Sequence, residues 1–189
     1  MAYHVTGEHM RWNIDAAHSI IEFGVKHLGI STTRGRFGKA EGFVEMDEKD
    51  TPTSLQVTID AGSIDTNQAD RDKHLRSADF FDVERFPTIT FRSTVIRQVN
   101  DDEYEIIGQL SMHGIARPVT FRAEVEPVVK TPWGDRRKAG VASGKLNRKD
   151  WGLVWNQVLE TGGLLVGEEV RFNLEVELVA VPAAEEAAV

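Results

Sequence analysis

The feature that most constrains this chain is a two-residue alternation of apolar and polar side chains, repeated in segment after segment. In "SIIEFGVKH" (19–27), Ile21, Phe23, Val25 and His27 share one face. In "SLQVTID" (54–60), Leu55, Val57 and Ile59 oppose Gln56, Thr58 and Asp60. "TITFRSTV" (88–95) groups Ile89, Phe91 and Val95, and "EYEIIGQLSM" (103–112) groups Tyr104, Ile106, Gly108, Leu110 and Met112. "PVTFRAEVE" (118–126) groups Val119, Phe121, Ala123 and Val125. In "EVRFNLEVEL" (169–178), Val170, Phe172, Leu174, Val176 and Leu178 form the apolar face. Adding "RWNID" near the start, "RGRFGKAEGFVEM" (34–46) and "RKAGVASGKLN" (137–147) gives about nine strands.

Connections such as "VNDDE" (99–103) and "HGIAR" (113–117) are short and rich in turn formers, so neighbours pair antiparallel. Clean in-out alternation suits an antiparallel sheet with one wet face, and no long crossover helix interrupts it. Sandwich and closed barrel both satisfy this. The barrel is favoured, because closure removes the edges of long Val- and Phe-rich strands. On two strands the shared face is small: Gly38, Ala40 and Gly42, then Gly140, Ala142 and Gly144. Either these are bends where glycine lets a strand coil tightly, or they leave interior room for an elongated ligand.

At 189 residues the chain supports one substantial core, and no shift in composition marks a second domain. A charge of -8 argues against a nucleic-acid or anionic-membrane partner, and the absence of cysteine excludes disulfides and thiolate chemistry. No apolar run approaches the ~20 residues that would span a bilayer, so stable membrane insertion is not expected. "MAYHVTGEHMRWNID" lacks the apolar core of a secretory signal, which makes the expected location cytoplasmic. Residues 1–10 read as a flexible N-terminus or a cloning remnant, 11–180 as the barrel domain, and 181–189 as a disordered acidic tail.

Two segments break the alternation. "RDKHLRSADFFDVERFP" (71–87) follows "IDTNQA", where Thr66 or Asn67 caps a helix with Asp70 in its first turn. A short helix from about Gln68 to Ala78 is expected, with a further turn through "DFFD", until Pro87 returns the chain to a strand. Phe80, Phe81 and Phe86 require burial, so the segment reads as a helical lid on one barrel end. "NRKDWGLVWNQVLETGGLLVGEE" (147–169) carries Trp151, Leu153 and Trp155, and reads as a plug at a barrel end or a lining to its entrance.

At these residues the chain resembles the YceI family of lipocalin-like, polyisoprenoid-binding proteins, from about Trp12 to Leu178. The matching motifs are "DAAHSIIEFGVKHLGISTTRGRF" (15–37), "DRDKHLRSADFFDVERFPTITF" (70–91), "GQLSMHGIARPVTF" (108–121) and "LNRKDWGLVWN" (146–156). The resemblance implies an all-β fold, an eight-stranded antiparallel lipocalin-like barrel with one short helical lid. It also implies carriage of a long isoprenoid chain, of quinone or prenyl-phosphate type, inside the barrel. Many members are periplasmic and carry a signal peptide; this chain shows none. Expected tail contacts are Phe23, Val25, Phe37, Phe91, Ile106, Leu110 and Phe121, with Phe80, Phe81, Trp151 and Trp155 at the ends. His27, Arg71, His74 and Arg76 are expected to form a polar network or meet a head group.

Enzymatic signatures are weak. His18 and Ser19 are adjacent, so on a strand they point to opposite faces. Neither a G-x-S-x-G elbow nor a glycine-rich phosphate loop occurs. Asp70 and His74 share a helix face at metal-ligand spacing, and His18, His27 and His113 lie in the other motifs. The expectation is a non-enzymatic carrier with no cofactor or metal, whose ligand is the lipid itself. A metal-dependent enzyme built on a His/Asp cluster, or an interaction module without physiological lipid, stays open, as does a homodimer.

Overall fold

The computed structural model describes residues 10–160 and 162–181. In chain order these form β1 (Met10–Ile14), β2 (Ile20–His27), β3 (Ser31–Phe37), β4 (Ala40–Met46), β5 (Pro52–Asp60) and β6 (Ile64–Asp65). After the helix α1 (Ala69–Arg76) come β7 (Thr88–Gln98), β8 (Glu103–Met112), β9 (Ile115–Val125), β10 (Val129–Lys130), β11 (Arg136–Asn147) and β12 (Val166–Ala180). Strands pair in the order β11-β9-β8-β7-β5-β4-β1-β12, and β12 pairs back to β11. The result is a closed, eight-stranded antiparallel barrel with a single α-helix among the described residues. Closure is the arrangement that leaves none of these long apolar strands with an unpaired edge. At the β8–β9 hairpin, His113 and Gly114 both have positive φ (52° and 74°), the twist that a two-residue turn needs.

Two wall strands are split. β1 and β2 are separated by a 3-10 turn, Ala16–His18, whose Ala17 amide donates to the Asp15 carboxylate (3.0 Å). The expected strand over 34–46 breaks between Phe37 and Ala40 into β3 and β4. The long β12 spans the first break, pairing with β2 through its N-terminal part and with β1 at its end. Met10, assigned from sequence to a flexible terminus, is the first residue of β1 and pairs with Met46. The rest of that stretch, and residues 182–189 of the expected acidic tail, lie outside the described residues. Val181 still donates its amide to Arg11 (2.8 Å).

A bulge corrects one face assignment. The β7–β8 register shifts between Ser93 and Val95, which reverses the in-out parity downstream. Val95 is therefore exposed, and Ile96 opposes Ile106 instead.

The helix is shorter than expected, and neither Thr66 nor Asn67 caps it. Gln68 does, its side-chain oxygen accepting from Arg71 N (2.6 Å). Thr66 is drawn inward because its amide (2.9 Å) and hydroxyl both donate to the buried Asp72 carboxylate. The chain then turns back under the helix: Phe80, with Ala61, Ile89, Met112, Trp151 and Leu153, closes this end of the barrel. Phe91, Tyr104, Ile106, Phe121 and Ala123 cluster from the middle towards the far end, where Tyr104 pairs with the last residue of β7. Trp12, Val44, Met46 and Leu178 close the far end. Each such side chain, fully buried, stabilises by about 1.5–3 kcal/mol.

Candidate functional site: an apolar cavity inside the barrel

The inward-facing residues do not fill the barrel. They enclose a cavity of about 490 Å3 that reaches from the helix to the far end. Its wall is apolar because the pleat turns every second residue inward, and those positions hold Val, Ile, Leu and Phe. Phe23 and Val25 (β2), Phe37 (β3), Phe91 (β7), Ile106 and Leu110 (β8) and Phe121 (β9) all line it. Phe172 of β12 joins them and meets Phe121 edge-on at 5.9 Å.

The small-residue faces resolve into two uses. A Cβ built on Gly108 would lie 2.4 Å from the Phe91 ring, and one on Gly144 would lie 2.4 Å from the Phe172 ring. These glycines make room for a neighbour's aromatic ring. Gly38, Ala40, Gly140 and Ala142 instead face the cavity directly and widen it.

At the helical end, Phe80, Phe81 and Trp155 line the cavity. Trp155 lies 5.3 Å from Phe80, and Phe81 meets Phe37 edge-on at 5.9 Å. Trp151 is not on the cavity wall. It is 2% exposed, packed beneath the end cluster, and its indole N–H donates to Leu110 O (3.0 Å). A tryptophan in a connection need not be a gate; here the strand-like spacing of Trp151 and Trp155 is broken by the 3-10 turn Arg148–Trp151.

Arg71, His74 and His27 line the cavity, and Arg76 does not. The arginines at this end are bonded to backbone outside the 71–87 segment, those on the helix tying it to the chain that precedes it. Arg71 donates to the Thr66 hydroxyl and carbonyl (both 2.7 Å), and Arg76 donates to Gly62 O (2.8 Å) and Ile64 O (2.6 Å). Arg148, 4% exposed, donates to Gly167 O (2.9 Å) and Leu153 O, and burial lowers its pKa. His74 bonds Asp79 (2.9 Å) and lies edge-on to Trp155 at 4.7 Å. Bonds to charged groups contribute about 1.5–3 kcal/mol each, so displacing the lid would break several of them together.

The far end holds two cavity-lining polar groups that are not among the site residues expected from the sequence. Lys138 is 9% exposed and donates to Asp50 O (2.9 Å); burial pushes its ammonium pKa down, opposed by the charge of Asp50. Tyr104 is 4% exposed, and burial, then the charge of Asp47, raises its phenol pKa. A signal for Lys138 was present: it shares the parity of Gly140 and Ala142 on the inward face of β11.

His27, His74 and His113 form no group at metal-ligand spacing among the described residues. His113 bonds Trp151 O (3.1 Å) and packs on Phe86, while His74 bonds Asp79. The one His/Asp/Glu group at metal-ligand spacing among the described residues is Asp15, His18 and Glu177, on the outside of the barrel. The guanidinium of Arg137 already lies between its carboxylates, 2.9 Å from Asp15 and in contact with Glu177. Asp15 is held below the usual aspartate range by the bond from His18 and then by its amide and arginine partners, against a burial contribution that raises it.

Fold and cavity together define a lipocalin-like barrel, a closed shell around an apolar interior. The chain belongs to the YceI family: the model of the YceI-like domain matches residues 12–178. It is 42% identical over 140 residues to a UPF0312 protein of Pseudomonas aeruginosa strain LESB58, covering 74% of this chain and 73% of that one. Its fold is similar to that of BcnA from Burkholderia cenocepacia, with TM-score 0.75, 23% identity, and coverage of 87% of this chain and 98% of that one. It is also similar to that of a polyisoprenoid binding domain from Saccharophagus degradans implicated in plant cell wall breakdown. There the TM-score is 0.70 at 17% identity, over 90% of this chain and 98% of the other. None of the described helices is long and apolar enough to cross a membrane.

Proposed function

We propose that this protein binds a long apolar lipid of the polyisoprenoid class inside the barrel and carries it without chemical conversion. The observation that carries this reading is the cavity itself: about 490 Å3, walled by inward aromatic and aliphatic residues from strands all round the barrel. That size falls in the range of small-molecule sites, and an eight-stranded barrel is the size that encloses a single ligand. Membership of the YceI family supports it, as does the likeness to a domain described as polyisoprenoid binding.

Burying each CH2-sized group contributes ~0.8 kcal/mol relative to water, so a chain of several isoprene units is held firmly against loss to solvent. A bilayer satisfies the same chain equally well. Exchange with a membrane is therefore close to balanced, which suits a shuttle or buffer better than a sink. Phe23, Phe37, Phe91 and Phe121 contact the chain in this reading, and quinone or prenyl-phosphate types are the expected ligands.

The test is native mass spectrometry of freshly purified protein, followed by organic extraction and identification of what is released. A one-to-one isoprenoid adduct is the expected result. Protein that emerges free of lipid, and takes up neither added quinones nor prenyl phosphates, would overturn the proposal.

A further inference from the structure

Resting on the reading of the cavity as a lipid site, the two ends of the barrel differ in what they offer a ligand. At the helical end each arginine places at least two N–H donors on protein oxygens, and Arg71, which is exposed, leaves the rest to solvent. Arg71 bonds Thr66, Arg76 bonds Gly62 and Ile64, and Arg148 bonds Gly167 and Leu153. The His27 ring lines the cavity but is only half-buried, so solvent can satisfy it.

At the far end the position is reversed. Lys138 carries three N–H donors and places one on Asp50 O (2.9 Å); no second bond from its ammonium is found among the described residues. No hydrogen bond from the Tyr104 hydroxyl is found among them either, and the fully buried indole N–H of Trp12, at the same end, also lacks a partner. Both residues line the cavity and are at least nine-tenths buried. Both address one turn: Lys138 reaches Asp50, and Tyr104 feels the charge of Asp47, which bonds Thr51 across that same turn (2.9 Å). A donor left unpartnered in apolar surroundings is costly, so this end is built to be completed by an acceptor.

We propose that the polar end of the ligand lies at the far end of the barrel, its oxygen accepting from the Lys138 ammonium and the Tyr104 hydroxyl. The ligand class is therefore a long apolar chain ending in a carbonyl or carboxylate oxygen, inserted head first. Trp12, Met46 and Leu178 close the space behind the head group, and the tail runs back towards the helix.

The test uses two probes with the full chain, after delipidation: decylubiquinone, which has carbonyl acceptors, and hexadecane, which has none. Affinities are read by displacement of a fluorescent apolar dye. Tyr104→Phe is the clean variant, since the hydroxyl it removes bonds no protein group. It is expected to weaken decylubiquinone about five- to tenfold, the scale of one hydrogen bond, while hexadecane is unchanged. Lys138→Met is expected to shift the same preference in the same direction, with circular dichroism melting to report its fold. If Tyr104→Phe changes both probes equally, or neither, the head-group seat is overturned while the lipid reading stands. If the unsubstituted protein binds neither probe, the lipid reading fails and the seat fails with it.

Discussion

Asp72 carries the most testable load in the lid. Its carboxylate is 7% exposed and accepts from both the amide (2.9 Å) and the hydroxyl of Thr66. That fixes the chain entering α1, and Arg71 then bonds the same threonine. In Asp72→Ala, two bonds to a charged acceptor are lost, nominally about 3–6 kcal/mol. Part is returned, because a carboxylate no longer has to leave water on folding. The expected net loss is about 3 kcal/mol, which for a chain of this size lowers Tm by about 6–12 °C. Asp72→Asn retains an oxygen in place and exchanges charged for neutral bonds, so its loss is expected to be near 1–1.5 kcal/mol, roughly half or less. Urea unfolding of delipidated protein measures both, with lipid removed because a ligand bound only to the folded state would mask the difference. A loss below about 1 kcal/mol for alanine, or asparagine as damaging as alanine, would refute the claim that this carboxylate anchors the lid.

Other substitutions probe the cavity, the plug and the outer charge cluster. In Gly144→Ala the new methyl meets the Phe172 ring at 2.4 Å and pushes it into the cavity, so lipid capacity is expected to fall more than stability, read by titration beside a melt. Trp151→Phe keeps most of the packing but removes the indole bond to Leu110 O; a loss of about 1–2 kcal/mol in urea unfolding is expected. Because Asp15, Asp65 and Asp135 have folded pKa values below the ordinary one, they add stability that is complete above the usual aspartate range and is lost as pH falls through it. The urea midpoint is therefore expected to drop below about pH 4, and less steeply in Asp15→Asn, where a curve like the parent's would count against Asp15.

How much of this was legible in the sequence depends on whether a feature is periodic. Alternation groups Phe23, Ile106 and Phe121 with their inward neighbours, since each lies where strand parity holds, and Phe91 too, since it precedes the bulge of its strand. Parity fails beyond Ser93, where one extra residue turns Val95 outward, and nothing in "TITFRSTV" signals the bulge. The helix was legible as a helix, but its cap was not. Thr66 and Asn67 are better cap formers than Gln68, yet the buried carboxylate of Asp72, a tertiary contact, takes Thr66 away. Arg71 and Arg76 bond backbone carbonyls of the segment that precedes the helix, and no spacing in the sequence reveals that. Lys138 was visible in principle as a charge on an inward face.

The last strand among the described residues is also the one that completes the ring. Until β12 exists, β11 and β1 are free edges and the apolar face is an open trough. Trp12 must then wait for Ala180, nearly the whole chain away, before the wall is continuous. Pairing so remote in sequence is slow to form. For that interval the interior is as accessible as it will ever be, and a greasy molecule lying in the trough would promote the collapse that encloses it.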